Sequence, residues 1–226
     1  MILQRHLYLS DTYLTRVVTT VKRVGKGARG PWVLLDDNIF HPQGGGQPND
    51  RGTVDGIPAI PRREGGTDVV LELDCPEDRV PEPSTEVTAE VDAELRKRHA
   101  ALHTAGHLVD ALTRRRYGLR HAGNNHFPGQ SRIECHLDGR DLDRDELAEL
   151  LQKEIAEAIA ARLAVTASGD AERRSIEIEG LGGDPCGGTH VRHLGLLRDV
   201  TVRSVKVKSG RLRIGYDAAH AEEPLD

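Results

Sequence analysis

The chain has 226 residues, a formal charge of −5 and a hydrophobic content of 37%, with one Trp and two Phe. That length allows one large domain or two small ones. The acidic balance excludes a protein that attracts nucleic acid through its overall field, so any such contact has to come from local basic patches. The core must rest on Leu, Val, Ile and Ala. Cys75, Cys135 and Cys186 are odd in number and widely spaced, which argues against a disulfide framework and for a reducing compartment. No apolar run approaches membrane-spanning length and the start shows no signal-peptide pattern, so the expectation is a soluble, cytoplasmic protein with no membrane partner.

In chain order, residues 1–90 read as β-rich. Arg16 to Val24 alternates around Val17, Val21 and Val24, and Trp32 to Leu35 is a second short apolar run. A turn-rich stretch from His41 to Gly52 follows, then strand patterns at Val69–Leu73 and Glu86–Val91. Short strands with Gly and Pro punctuation predict a small barrel. The pattern changes at residue 91. Ala93 to Tyr117 has no Pro and repeats Leu95, Leu102, Val109 and Leu112 near helical spacing, with Gly118 as a stop. Gly123 to Gln130 reads as a polar loop and Ser131 to Leu137 as a strand. Asp143 to Leu163 carries Leu147, Leu150, Leu151, Ile155, Ile159 and Leu163 on one stripe, with Asp143 as N-cap and Glu146 three residues on. Ser175 to Glu179, Asp199 to Val207 and Leu212 to Tyr216 are further strands, the last two joined at Ser209-Gly210 as a hairpin. The expected fold class is α+β: a small β-barrel domain over 1–90, then a domain over 91–226 with two long helices on an antiparallel sheet.

Two stretches carry ligand chemistry. His103-Thr-Ala-Gly-His107 places two imidazoles at i and i+4, on one face of the expected helix. Cys186-Gly-Gly-Thr-His190 puts a thiol and an imidazole in a glycine-rich loop that can fold back to them. Imidazoles with one thiolate suit tetrahedral zinc, so His103, His107, Cys186 and His190 are the candidate ligands of a single ion. Position 104 is Thr, so the general base of His-Glu-x-x-His metalloproteases is absent. A purely structural zinc is the alternative to a reactive one. Pro42 to Gly52 contains three consecutive glycines, Gly44, Gly45 and Gly46, but no Lys-Ser/Thr follows, so it is not a phosphate-binding P-loop. Basic residues cluster at Arg96–Arg98, at Arg114–Arg116 with Arg120, and at Lys206, Lys208, Arg211 and Arg213. Each is a solvated face or a place for RNA phosphates.

Together these residues resemble the editing domain of alanyl-tRNA synthetase and its free-standing relatives, the AlaX trans-editing proteins. Leu35-Asp-Asp-Asn-Ile-Phe-His-Pro-Gln-Gly-Gly-Gly-Gln-Pro-Asn-Asp-Arg-Gly52 is similar to the family's N-terminal glycine motif, and His103–His107 with Cys186–Val191 to its zinc motifs. The match runs through both expected domains and lacks a synthetase core, which resembles the longer stand-alone form. The resemblance implies hydrolysis of the ester between a wrong amino acid and the tRNA 3′ end, seryl- or glycyl-tRNA(Ala) by default, because a synthetase pocket cannot itself reject a near-isostere strongly enough. It implies one Zn2+ on His103, His107, Cys186 and His190. It implies a catalytic set of Gln47, His103, His107 and Cys186, and substrate contacts from Asn38, His41, Gly44, Gly45, Gly46 and Gln47. The implied partner is aminoacyl-tRNA, not DNA. Two positions depart from the family: Asn38 replaces a Thr associated with recognising serine, and His41 replaces a Tyr. The family includes editors of unusual hydroxylated residues, so tRNA charged with a threonine-like analogue such as fluorothreonine is a second expectation. A tRNA-binding module with structural zinc and a small-molecule ester hydrolase are the readings from other classes.

Overall fold

The computed structural model describes residues 3–169 and 173–222. The chain is α+β and divides into two compact units, Met1–Gly44 with Pro48–Lys97 and Gly45–Gln47 with Arg98–Asp226. The sequence suggests one cut near residue 90. By contact, the three residues at the tip of the glycine loop belong to the second unit, and the division after Lys97 falls inside a helix.

The first unit opens with β1 (Arg5–His6), β2 (Arg16–Gly27), β3 (Gly30–Leu35) and β4 (Asp37–Asn38), followed by β5 (Gly52–Val54), β6 (Ile57–Arg63), β7 (Val69–Leu73) and β8 (Glu86–Val91). β1 and β4 form a short parallel pair, while the other six close a barrel in the order β2-β3-β7-β6-β5-β8. Closure removes the exposed edges that an open sheet of this size would present. Its interior holds Val21, Val33, Leu35, Ile39, Phe40, Val54, Leu71 and Val87, all at most 2% exposed. β6 was not legible in the sequence because Pro58 and Pro61 interrupt its pattern.

Arg96 is completely buried in this unit. It forms an ion pair with Asp50, itself fully buried. Its Nη1 donates to the Thr12 carbonyl at 2.9 Å and its Nη2 to the Ile39 carbonyl at 2.6 Å. Asp50 also accepts from the His41 backbone N–H at 2.6 Å, and its own N–H donates to the His41 carbonyl at 3.0 Å. His41 and Asp50 therefore bracket the loop that carries the three glycines, and Arg96 neutralises the charge at its base. Reading Arg96 as part of a surface basic patch is corrected by this burial. Its neighbour Lys97 pairs with Glu94 on the surface.

The second unit contains most of α1 (Ala93–Tyr117), then β9 (Arg120–Asn125), β10 (Arg132–His136) and α2 (Arg144–Ala160). After these come β11 (Val165–Ser168), β12 (Ser175–Ile178), β13 (Gly182–Pro185), β14 (Leu197–Lys208) and β15 (Arg211–His220). The order β14-β15-β10-β9 makes an antiparallel sheet, and β11-β12-β13 a smaller one. α1 spans the residues its periodicity predicts. Asp92 accepts from the Leu95 N–H at its start, and Gly118, at φ +61, accommodates the stop. From His99 to Thr113 every α1 residue but His107 is buried, so this is a central helix and not a one-sided amphipathic one. Asp143 caps α2 by accepting from the Asp145 and Glu146 N–H groups, and Leu147, Leu151 and Ile155 face inward. α2 packs on β14. There the Gln152 amide donates to the Val200 carbonyl and accepts from the Val202 N–H, both at 2.9 Å, satisfying backbone groups beside the register shifts of that strand. β14 and β15 turn at Ser209 and Gly210, both at positive φ, as the hairpin reading requires. Among the described residues no helix is long and apolar enough to cross a membrane.

Candidate metal and substrate site

His103 and His107 project from one face of α1, as i and i+4 must, and their rings lie 5.1 Å apart between centroids. The Cys186 loop reaches back to them across 83 residues. Cys186 Sγ is 3.5 Å from His103 Nε2 and 3.2 Å from His190 Nε2. One ligand atom from each of His103, His107, Cys186 and His190 lies within 4.8 Å of all the others, so the four can hold a metal ion. The loop is held in place by Arg174, whose Nη1 donates to the carbonyls of Cys186 and Gly188 at 2.8 and 2.9 Å.

The tautomers of two ligands are decided by their neighbours. Gln47 is fully buried. Its Oε1 accepts from the Thr189 backbone N–H at 3.0 Å and its Nε2 donates to Thr189 Oγ1 at 2.9 Å, which fixes the orientation of the amide. His103 Nδ1 is 2.7 Å from that same Oε1, so Nδ1 carries the proton and Nε2 presents its lone pair to the cluster. Thr104 does the equivalent for His190. Its hydroxyl donates to the Ala100 carbonyl at 2.8 Å, which leaves the oxygen to accept from His190 Nδ1 at 3.1 Å and from the Val191 N–H at 3.1 Å. Such partners orient metal-binding imidazoles and raise their basicity. Burial lowers the pKa of His107 and raises that of the Cys186 thiol, the latter partly offset by the Gly188 N–H and Arg174.

Close approach explains two glycines. A Cβ at Gly188 would sit 2.2 Å from both Cε1 and Nδ1 of His103 and 2.7 Å from Gln47 Oε1. A Cβ at Gly106, mid-helix, would sit 2.4 Å from the Tyr216 hydroxyl and 2.5 Å from His126 Cε1. We expect Gly188→Ala to turn the His103 ring off the cluster and weaken metal affinity by about 10–100-fold, while far-ultraviolet circular dichroism stays that of the parent. Competition against a chromogenic chelator measures this; parental affinity in the variant would refute the packing argument.

Beside the cluster lies a cavity of about 390 Å³, lined among others by Gly45, His107, Asp110, Asn124, His126 and Asp184. His126 stacks on His103 with ring centroids 4.3 Å apart. Its Nδ1 is 2.6 Å from the Tyr216 hydroxyl, which donates to the Leu102 carbonyl at 3.0 Å, so Nδ1 carries the proton. His126 Nε2 is then a buried acceptor with no hydrogen-bond partner among the described residues. Burial pushes its pKa down to about 3, and the ring is neutral. Asp110 and Asp184 are both paired with Arg114, and Asp110 also meets His121 at 3.0 Å. That hydrogen bond raises the His121 pKa above its ordinary value. Arg114 is thus committed beside the cavity, and Arg116 to Glu154, so this cluster is less available to phosphates than its sequence suggests.

Of the residues the glycine motif nominates, Gly45 lines the cavity, the Gly46 carbonyl accepts from the His126 N–H at 2.9 Å, and Gln47 touches His103. Gly44 belongs to the barrel unit, where a Cβ would meet Arg63 at 3.5 Å. Asn38 and His41 are also in the barrel unit, 0% and 1% exposed. The Asn38 amide is spent on Phe40, donating to its carbonyl at 2.9 Å and accepting from its N–H at 3.0 Å. His41 packs edge-on against Tyr8, and burial pushes its pKa down to about 4. Neither periodicity nor ligand spacing marks His126, Thr189 or Tyr216 in the sequence, and Thr104 stands out there only as the position where a His-Glu-x-x-His metalloprotease has its glutamate. A histidine within Gly123–Gln130 was the one signal available for His126.

No family model matches the chain. The proteins it is similar to include three alanyl-tRNA editing proteins. The alanyl-tRNA editing protein AlaX-M of Methanosarcina mazei is 27% identical over 93% of this chain and 94% of its own length. The alanyl-tRNA editing protein AlaX-L of Pyrococcus horikoshii is 26% identical over 95% of this chain and 58% of its own. The alanyl-tRNA editing protein Aarsd1-B of Xenopus laevis is 30% identical over 75% of this chain and 44% of its own.

Proposed function

From its place in the AlaX family of alanyl-tRNA editing proteins, to which this chain belongs, we propose that it is an aminoacyl-tRNA deacylase whose centre is the His103, His107, Cys186 and His190 cluster. The substrate is tRNA(Ala) wrongly charged with serine or glycine, and the cofactor is one zinc ion. The observation that carries the reading is the convergence of these four side chains beside a cavity of a size that admits an aminoacyl group. The donor set fits zinc: three imidazoles and one thiol, with the proton on Nδ1 of both His103 and His190 and their Nε2 atoms directed to the cluster.

Zinc bound there supplies Lewis-acid chemistry toward an ester carbonyl and its attacking water. The protein's own groups do the rest. Gln47 holds His103 and the Thr189 backbone in one hydrogen-bonded unit, and Thr104 holds His190. His126 offers a neutral Nε2 that accepts a hydrogen bond from the aminoacyl end. Asp110 and Asp184 share the single guanidinium of Arg114, so the cavity wall carries more carboxylate than arginine charge, which suits an α-ammonium group. Asn38 and His41 bear on selectivity by holding the backbone that enters the glycine loop.

A deacylation panel tests this: tRNA charged with serine, glycine, alanine, threonine or fluorothreonine, each incubated with zinc-loaded protein. Seryl- and glycyl-tRNA(Ala) are expected to be hydrolysed fastest and alanyl-tRNA(Ala) spared. Faster loss of the threonine-type esters transfers the assignment to an analogue editor. Zinc retention with no deacylation of any charged tRNA favours a binding module instead.

A further inference from the structure

The strand register of the four-stranded sheet gathers cations on its outer face. Lys206 is paired with Arg213, and Arg213 with Glu134; Lys208 is paired with Arg211, and Arg211 with His136. Residues paired directly across a ladder share a face, and Arg132, two positions from Glu134, shares it too. The intervening Leu212, Ile214, Ile133 and Cys135 fill the opposite face and are buried. The outer face therefore brings together Arg132, Lys206, Lys208, Arg211 and Arg213 around a single carboxylate. Glu134 meets Arg132 at 3.0 Å, Arg213 at 3.2 Å and Arg211 at 3.4 Å. Lys206 and Lys208 are exposed and form no ion pair among the described residues.

Like charges directly opposite one another destabilise a sheet, so two cation-on-cation pairs in adjacent rows are unfavourable in the isolated protein. They run against an overall charge of −5. An arrangement that costs stability alone is relieved by a polyanion laid across it. In the other two basic clusters visible in the sequence only Arg98 and Arg115 are exposed with no ion pair among the described residues, each among committed neighbours, whereas here Lys206 and Lys208 stand exposed side by side on one face. Arg96 is buried, Arg114 and Arg116 are paired, and Arg120 is held by Asp138.

We infer that the outer face of the sheet β14-β15-β10 docks the phosphodiester backbone of RNA, which under the deacylase reading, on which this rests, is the body of the charged tRNA. Contacts of this kind position the substrate without reading bases. The face acts on affinity and on its salt dependence, and the chemistry at Cys186 does not require it.

The test is uncharged tRNA(Ala) binding to the full chain across a salt series, for the parent, for Lys206→Ala with Lys208→Ala, and for Lys26→Ala with Arg29→Ala in the barrel unit. Removing two phosphate contacts is expected to lower the slope of log affinity against log salt by about 1 to 2 in the first variant and to leave the second at the parental value. Hydrolysis of an aminoacyl ester of adenosine, which lacks the tRNA body, should be equal in parent and first variant. An unchanged slope in Lys206→Ala with Lys208→Ala, or the same fall in the barrel variant, overturns the inference. So does binding to vesicles containing phosphatidylglycerol that depends on Lys206 and Lys208 when tRNA binding does not. Salt-dependent tRNA binding through this face, in a protein that deacylates no charged tRNA, supports the inference and rejects the deacylase reading.

Discussion

Cys186→Ser and, separately, His103→Ala are each expected to lose the bound metal and to lower deacylation by about a thousandfold or more. A Lewis-acid metal contributes several kcal/mol to a hydrolytic transition state, and each 1.36 kcal/mol is tenfold in rate. Both substitutions remove a donor from a set whose atoms already lie within 4.8 Å of one another. Gln47→Ala should fall short of this. It removes the acceptor that fixes the His103 tautomer but leaves all four donors in place, so metal affinity and rate should drop by about 10–100-fold. Elemental analysis and single-turnover deacylation on the same preparations give the comparison. Metal-free Cys186→Ser that still deacylates at the parental rate would show that the reaction does not run at this centre. Equal losses for Gln47→Ala and His103→Ala would show that Gln47 does more than orient the ring.

Arg96→Met is expected to destabilise the barrel unit by about 3–5 kcal/mol, the largest loss of stability among the substitutions discussed. The variant leaves Asp50 fully buried with no counter-charge and strips donors from the Thr12 and Ile39 carbonyls. Asp50→Asn combined with Arg96→Met should recover part of that loss, because no uncompensated charge then remains inside. Denaturant unfolding of the parent, both single variants and the pair gives the coupling directly. Additive losses would mean that Asp50 and Arg96 do not act as a pair. A loss below about 1 kcal/mol for Arg96→Met would place the guanidinium on a solvated face, as its position in Arg96-Lys97-Arg98 first suggests.

Local order was readable wherever the backbone's own periodicity carries the signal. α1 was legible over Ala93–Tyr117 because apolar residues recur at helical spacing and Gly118 ends them. The turn at Ser209-Gly210 was legible because such a hairpin needs positive φ. His103 with His107 and Cys186 with His190 were legible because a four-residue spacing on a helix or in a glycine loop brings two donors to one side. β9 and β13 were not legible. Arg-His-Ala-Gly-Asn-Asn and Gly-Gly-Asp-Pro have no alternation to read, and these strands exist because neighbouring strands supply the hydrogen bonds.

The tertiary structure alone decided what the side chains do. Nothing near Gln47 in sequence announces that its amide will meet Thr189 and His103, and nothing around Thr104 announces that its hydroxyl will orient His190. Those pairs are 142, 56 and 86 residues apart. Spacing along the chain is set by short-range sterics, which a sequence displays. Burial, charge pairing and tautomer depend on which distant groups share the same few ångströms once water has been excluded. For that reason the donor types, their local spacing and the α+β class can be read from the residues alone, while only the fold makes Arg96 a buried ion-pair partner, turns the Asn38 amide to the Phe40 backbone, and leaves His126 with a nitrogen that has no hydrogen-bond partner among the described residues beside the His103, His107, Cys186 and His190 cluster.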